Sequence, residues 1–240
     1  MGANAAVGAW RQERKMHRGA VSYTLRLGLL AACVLAGCAC GGDAKPLSEE
    51  YGSLSTGSRY VTDEFEPALS FEIGKGWELK DGLQQKPFFS LSRQYEVGSH
   101  FVVISFLNPP SRVSDPTNPN KLVPAPKDWV SWFQEHPYLK TSEPQPTSVG
   151  NVQGRRVDIT VSSLPDDYYS EDCLGIGVPL WPLPNGHHWC ADEGGLTEWN
   201  IILDGIENET VIINAYSSFG LEKVLPESKE VLDTVEWEDA

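Results

Sequence analysis

The chain has 240 residues and a net charge of −14, from 19 basic and 33 acidic side chains. Residues 1–37 hold five of the basic side chains and one of the acidic ones, so the part that begins at Cys38 has a net charge of −18. Nucleic-acid binding requires a basic patch, and docking on anionic lipid requires clustered Lys and Arg. The composition therefore excludes nucleic acid as an expected partner and indicates a solvated, acidic surface.

The amino-terminal segment is typical of a secretory signal whose real start is Met16. Arg18 and Arg26 supply a basic flank, and residues 27–37 form an apolar run without a charge. This run is shorter than the roughly 20 residues that a membrane-spanning helix needs. The sequence therefore predicts that residues 1–37 are a cleaved signal peptide.

The last four residues of this signal, Leu35-Ala36-Gly37-Cys38, resemble the lipobox of bacterial lipoproteins. The resemblance implies cleavage before Cys38 and a diacylglycerol on its thiol. It also implies a location at the bacterial cell membrane, lipid-anchored and facing outside the cytoplasm, with the membrane as a partner through that lipid. The alternative is an ordinary signal whose apolar core contains Cys33 and Cys38.

Residues 38–58 are small and polar without periodicity, which predicts a flexible spacer between the lipid and the fold. The remaining residues, 59–240, are enough for one globular domain.

The domain opens with three runs that favour β-strands, at residues 69–73, 88–92 and 101–107. Turn residues between the second and third runs predict a hairpin. Residues 108–126 are rich in proline and asparagine, and we expect them to form a long surface loop.

A short amphipathic helix is predicted after Pro126, because Trp129, Val130, Trp132 and Phe133 recur at helical spacing. An aromatic stripe of this kind is more typical of a core than of a ligand platform.

The second half of the domain also contains runs that favour β-strands and one that favours a helix. Residues 155–161 predict a half-buried strand, and residues 199–203 and 210–216 predict a second hairpin. The apolar residues within 221–232 have the spacing of a helix, and residues 235–237 predict a short final strand. The expected fold class is therefore α+β, with a mostly antiparallel sheet covered by helices.

The order of these elements resembles the PsbP/Mog1 superfamily. The resemblance rests on the glycine turn before residues 155–161 and on the closing segment from Leu225 to Val235. It implies an α-β-α sandwich and a non-enzymatic binding or assembly role, with no catalytic residue to carry over.

Of the five cysteines, Cys33 is removed with the signal and Cys38 is assigned to the lipid. Cys173 and Cys190 flank one loop, and thiols outside the cytoplasm oxidise in pairs. We expect a disulfide between them. Cys40 is left as an odd thiol or a second group near the lipid.

The segment around this bridge is the strongest candidate for a binding site, since it concentrates aromatic and acidic side chains. One interpretation is a stacking surface for a sugar or peptide; the other is an insertion whose aromatic side chains cap the sheet edge. The candidate ligand-binding residues are Tyr168, Tyr169, Trp181, His187 and Trp189.

Metal binding would need three or four ligands, and His187 with Asp192, Glu193 or Asp167 could supply them. Adjacent histidines in an extended chain point to opposite sides, however, and no separated ligand motif is present. The sequence therefore predicts no metal and no other cofactor.

Motifs for hydrolases, phosphate-binding loops and redox pairs are absent from the sequence. We therefore expect a lipid-anchored binding or assembly module without catalytic activity, which recognises an unknown protein or small ligand. The alternative is a small extracellular hydrolase or metal-dependent enzyme that uses the loop between Cys173 and Cys190.

Overall fold

The computed structural model describes residues 44–47, 52–62, 64–79, 88–95, 100–166, 168–173, 177–183, 186–192, 194, 196–218 and 220–238. The predicted signal peptide, Cys38 and Cys40 lie outside these residues. None of the helices in the described ranges is long and apolar enough to cross a membrane.

The described elements are short and mostly extended. In chain order they are β1 (Lys45–Pro46), β2 (Gly52–Ser53), β3 (Arg59–Val61), β4 (Leu69–Glu72), β5 (Trp77–Leu79), β6 (Phe88–Gln94), β7 (Phe101–Leu107), β8 (Arg112–Asp115), β9 (Asn118–Pro124), α1 (Trp129–Glu135), β10 (Leu139–Thr141), β11 (Gln145–Val149), β12 (Val152–Val161), β13 (Gly177–Pro182), β14 (His188–Asp192), β15 (Thr197–Ile206), β16 (Glu209–Ser217), α2 (Leu221–Leu232) and β17 (Glu236–Trp237).

A nine-stranded sheet forms the centre of the fold. Its strand order is β10-β12-β15-β16-β7-β6-β5-β2, with β11 also paired to β12. All of these pairings are antiparallel. The predicted hairpins β6–β7 and β15–β16 are both present. Their runs are apolar on successive residues because both faces of this sheet are covered.

Two cores lie on opposite faces of the central sheet. In the first core, Phe89 and Phe106 pack with α2 and with the small sheet β1-β3-β4-β17. In the second core, Phe88 and Leu107 pack with α1 and with strands β13 and β14. Neighbouring residues of one strand therefore belong to different cores, as the alternation of side chains along a strand requires.

The predicted helix-covered α-β-α sandwich is wrong, and with it the PsbP/Mog1-like fold. The described part of the chain is mostly β-sheet, arranged in several antiparallel sheets, with two helices. Further strands cover most of each face of the central sheet, and a single helix on each face covers the rest. Local periodicity did not indicate this, because the covering strands are short and irregular in pattern.

The segment 108–126, predicted as a surface loop, forms a hairpin instead. It contains the antiparallel hairpin of β8 and β9, with Pro119 and Pro124 in β9. Proline lacks a backbone N–H, but an edge strand of a two-stranded sheet tolerates it. The hairpin is anchored because Val113 is fully buried in the second core.

The segment predicted as a spacer also contributes strands. Lys45–Pro46 pairs with Tyr60–Val61 in parallel, and Gly52–Ser53 pairs with β5. Leu47 is only 1% exposed and belongs to the first core. The fold therefore includes Lys45–Leu47 and Gly52–Ser53, while the domain boundaries stay a prediction.

Candidate functional site

The segment between the two paired cysteines is a hairpin. Strand β13 pairs with β14 in antiparallel register, with Pro179 opposite Cys190. A disulfide joins Cys173 to Cys190, with the two Cα atoms 5.9 Å apart. The predicted bridge is confirmed. We call β13, β14 and the bridged Cys173 the stapled hairpin.

The five candidate ligand-binding residues do not form one exposed platform. Trp181 is fully buried, and its ring stacks at 6.4 Å on the ring of the partly buried Trp189. Tyr168 packs against Tyr138, and burial raises its pKa to about 12. Tyr169 is 58% exposed, and His187 is exposed on the turn side of the stapled hairpin. The structure thus brings two of the five together, and their role in binding stays a prediction.

Of the four residues predicted as possible metal ligands, the structure describes His187 and Asp192. Asp167 and Glu193 lie outside the described residues. Among those that are described, no group of three or more His, Cys, Asp or Glu side chains is arranged to hold a metal ion. A close pair joins His188 of the stapled hairpin to Asp172 beside Cys173, with Nδ1 lying 3.2 Å from Asp172 Oδ1.

A row of buried polar side chains crosses the central sheet on the face of the second core. Ser90, Ser105, Asn214 and Asn200 occupy matched register positions on β6, β7, β16 and β15. All four are at most 1% exposed. The Ser90 and Ser105 hydroxyl oxygens lie 2.6 Å apart, and Asn214 Nδ2 donates to Asn200 Oδ1 at 3.0 Å. We call these four residues the polar row.

Glu198 extends the polar row toward the stapled hairpin, although it is only 5% exposed. Its Oε2 accepts hydrogen bonds from Asn214 Nδ2 at 2.7 Å and from Trp189 Nε1 at 3.2 Å. Burial raises the pKa of this carboxyl to about 7, because the two hydrogen bonds only partly offset the loss of water and Asp192 adds repulsion. Glu198 is the buried acid of the second core, and it titrates near neutral pH.

Sequence reasoning missed Glu198 and the polar row. The available signal is the pair Asn200 and Asn214, which interrupt the two apolar runs of one predicted hairpin. In the register of this hairpin Asn200 lies opposite Asn214, so both side chains share a face. The partners from β6 and β7 could not be found this way, because their position depends on sheet order.

Trp189 connects the stapled hairpin to the sheet. Its ring lies 5.9 Å from Phe88, 6.4 Å from Trp181 and 6.0 Å from Tyr216, while its Nε1 is held by Glu198. Burial, together with the nearby Glu198 carboxyl, raises the pKa of Tyr216. The disulfide thus braces the stapled hairpin internally, and the aromatic contacts and the hydrogen bond of Trp189 hold it on the sheet.

A cavity of about 230 Å³ lies between the stapled hairpin and the central sheet. The described residues of its walls are mostly apolar and include no charged side chain; they are Phe88, Leu107, Asn108, Pro110, Trp181, Pro182 and Leu183. Asn108 Nδ2 donates to the Glu66 carbonyl oxygen. Among the described residues, Asn108 Oδ1 and Trp181 Nε1 are buried without a hydrogen-bond partner. Two of the lining side chains therefore keep unused hydrogen-bonding capacity.

A second cavity, of about 500 Å³, lies on the side of the small sheet and has polar walls. Arg59 is the basic side chain in its lining, and Glu236 and Glu72 lie 2.7 and 3.7 Å from its guanidinium. Because that charge is already neutralised by two carboxylates, this cavity is a weaker candidate for ligand binding than the apolar one.

No protein-family model and no curated protein matches the chain. Among solved structures, the chain is similar to one described as the crystal structure of LpqN involved in cell envelope biogenesis of Mycobacterium tuberculosis. The alignment has 8% sequence identity and a TM-score of 0.33, and it covers 76% of this chain and 85% of that chain. A TM-score of this size does not establish a shared fold.

Proposed function

We propose that this protein is a lipid-anchored, extracytoplasmic binding module that receives one uncharged, apolar group in the cavity beside the stapled hairpin. The observation that carries the proposal is the cavity itself, which has apolar walls and is closed on one side by a disulfide-bonded hairpin. Concave, mostly apolar sites with a few polar side chains are the usual form of ligand sites.

The location outside the cytoplasm is supported by two independent features. Leu35-Ala36-Gly37-Cys38 closes a short apolar signal, and Cys173 is bonded to Cys190. Disulfides persist in oxidising compartments and are rare in the reducing cytosol. A lipid on Cys38 would retain the protein at the membrane when two or more acyl chains are attached.

The size of the cavity limits what it can receive. A cavity of about 150 Å³ binds benzene, whereas sites that enclose a drug-sized molecule span roughly 300 to 1,000 Å³. A cavity of about 230 Å³ therefore suits one substituted aromatic ring or a short branched hydrocarbon. Such a group belongs to a small molecule or is one side chain of a protein partner.

Charge narrows the ligand class further. The wall residues that the structure describes carry no charge, and the part of the chain after the signal has a net charge of −18. An anionic group would lose its hydration and gain no cation in return, and a cationic group would lose its hydration without a carboxylate partner among these residues. The proposed ligand group is therefore neutral.

The lipid anchor is tested with the variant Cys38→Ser. We expect the variant to lose its membrane association or to accumulate as an uncleaved precursor, because the acceptor thiol is gone. Detergent phase partitioning of cell fractions measures this, with Cys40→Ser as the control that stays in the membrane fraction. A processed Cys38→Ser protein that still fractionates with membranes would contradict the anchor.

The cavity is tested with indole as an uncharged ring probe and the variant Leu183→Trp, whose larger side chain fills the space. We expect indole to shift the resonances of Phe88 and Trp181 in the wild type, and the variant to bind at least about tenfold more weakly, a loss of about 1.4 kcal/mol. Lys140→Trp adds the same side chain at an exposed position and serves as the control. Equal binding by wild type and Leu183→Trp would refute the cavity as the site.

A further inference from the structure

We infer that the layer formed by the small sheet β1-β3-β4-β17 faces the headgroups of the anchoring bilayer, and that the stapled hairpin and its cavity face the aqueous phase. This inference rests on the proposed lipid anchor at Cys38. Two observations support it. The described part of the chain joins the fold at β1, and β1 lies on the face of the central sheet that carries the first core.

The chain is fixed to the fold at β1. Lys45–Pro46 pairs with Tyr60–Val61, and Leu47 N–H donates to the Val61 carbonyl oxygen at 2.7 Å. The Lys45 ammonium donates to Ser58 Oγ at 2.9 Å. Leu47 is 1% exposed in the first core, so releasing this strand would expose a buried leucine.

This attachment leaves a short connection to the lipid. Cys38 precedes Lys45 by seven residues, which span at most about 25 Å even when fully extended. If the connection ran to residue 58, as the composition predicted, the limit would be about 70 Å. The position of β1 therefore reduces the largest possible separation between the lipid and the fold about threefold.

The stapled hairpin lies on the other side of the central sheet from β1. Leu47 and Tyr60 pack in the first core, whereas Trp181 packs in the second core. Stacked sheets are about 10 Å apart, so the stapled hairpin is roughly 20 Å from the β1 layer. For the stapled hairpin to lie between the β1 layer and the bilayer, the connection from Cys38 to Lys45 would have to span these roughly 20 Å, which requires it to be almost fully extended.

The charge of the protein gives no competing attraction to the membrane. With a net charge of −18 after the signal, the surface is repelled by anionic headgroups rather than held flat on them. The connection at β1 thus sets the orientation. As a consequence, a ligand enters the cavity from the aqueous side, and it is not a lipid of the anchoring bilayer.

The orientation is measured on the mature lipidated protein in bilayer nanodiscs that contain a lipid with a paramagnetic headgroup. Relaxation enhancement of amide protons falls with the sixth power of distance, and the two layers differ by roughly 20 Å. We expect the enhancement at Tyr60 and Val61 to be at least about tenfold larger than at Cys190 and Ala191. Equal enhancement in the two layers, or a larger effect at Cys190, would overturn the inference.

Two variants separate the orientation from the anchor. Cys38→Ser is expected to remove the enhancement everywhere, and enhancement that persists in this variant would count against the anchor and the proposed function. A 14-residue Gly/Ser insertion after Gly42 keeps the anchor and β1 but lengthens the connection. We expect it to reduce the contrast between the layers at least about threefold. An unchanged contrast would show that the short connection does not set the orientation.

Discussion

Glu198→Gln is expected to raise the free energy of unfolding by roughly 3 kcal/mol above pH 7, and to leave it nearly unchanged below pH 4.5. The carboxyl has a pKa of about 7 in the folded protein and an ordinary value of 4.5 when exposed. Its contribution is therefore fully favourable below pH 4.5 and is lost as the pH rises from 4.5 to 7, because folding then buries an ionised group. Glutamine stays neutral at every pH.

Chemical denaturation at a series of pH values measures this effect. The wild type and the variant should have the same midpoint in acid and separate as the pH approaches 7, with the variant more stable. Glu209→Gln removes an exposed carboxylate from the neighbouring strand β16 and should follow the wild type throughout. Parallel curves for Glu198→Gln and the wild type would mean that Glu198 is not perturbed by burial.

The double variant Cys173→Ala, Cys190→Ala is expected to lose about 3 kcal/mol of stability, because the bridge closes a loop of 17 residues in the unfolded chain. The loss should be concentrated at the stapled hairpin, where Trp181 and Trp189 depend on a fixed backbone for their stacking. The cavity should lose its affinity for indole in the same variant, since Trp181 and Pro182 form one of its walls.

Denaturation with and without reductant provides the measurement. Reductant should lower the midpoint of the wild type to that of the double variant, and should not change the midpoint of the variant. Cys40→Ser retains the bridge and should behave as the wild type does. A wild-type midpoint that does not respond to reductant, under conditions where free thiols are shown to appear, would contradict a stabilising role for the bridge.

Several elements were predictable because their signal is local. The hairpins β6–β7 and β15–β16 combine apolar runs with turn residues between them, and both are present. The two helices lie within the segments whose apolar spacing predicted them. The disulfide followed from counting the cysteines that remain after export.

Other features were not predictable from local pattern. The hairpin β8–β9 contains prolines that usually indicate a loop, and it is held in place by the burial of Val113 in the second core. The segment from Lys45 to Leu47 has the composition of a linker, yet Val61 supplies its hydrogen-bond partner. In both cases contacts with distant parts of the chain override composition.

By itself, the sequence determined the expected location of this protein, the pairing of its cysteines and the strands of its central hairpins. Each of these depends on neighbouring residues or on the number of cysteines. Only the tertiary structure decided that strands cover most of both sheet faces and that Glu198 lies beneath Trp189. It also decided that the polar row spans four strands and that a cavity remains beside the stapled hairpin. These features depend on sheet order and register, which bring together residues as far apart in the chain as Ser90 and Asn214.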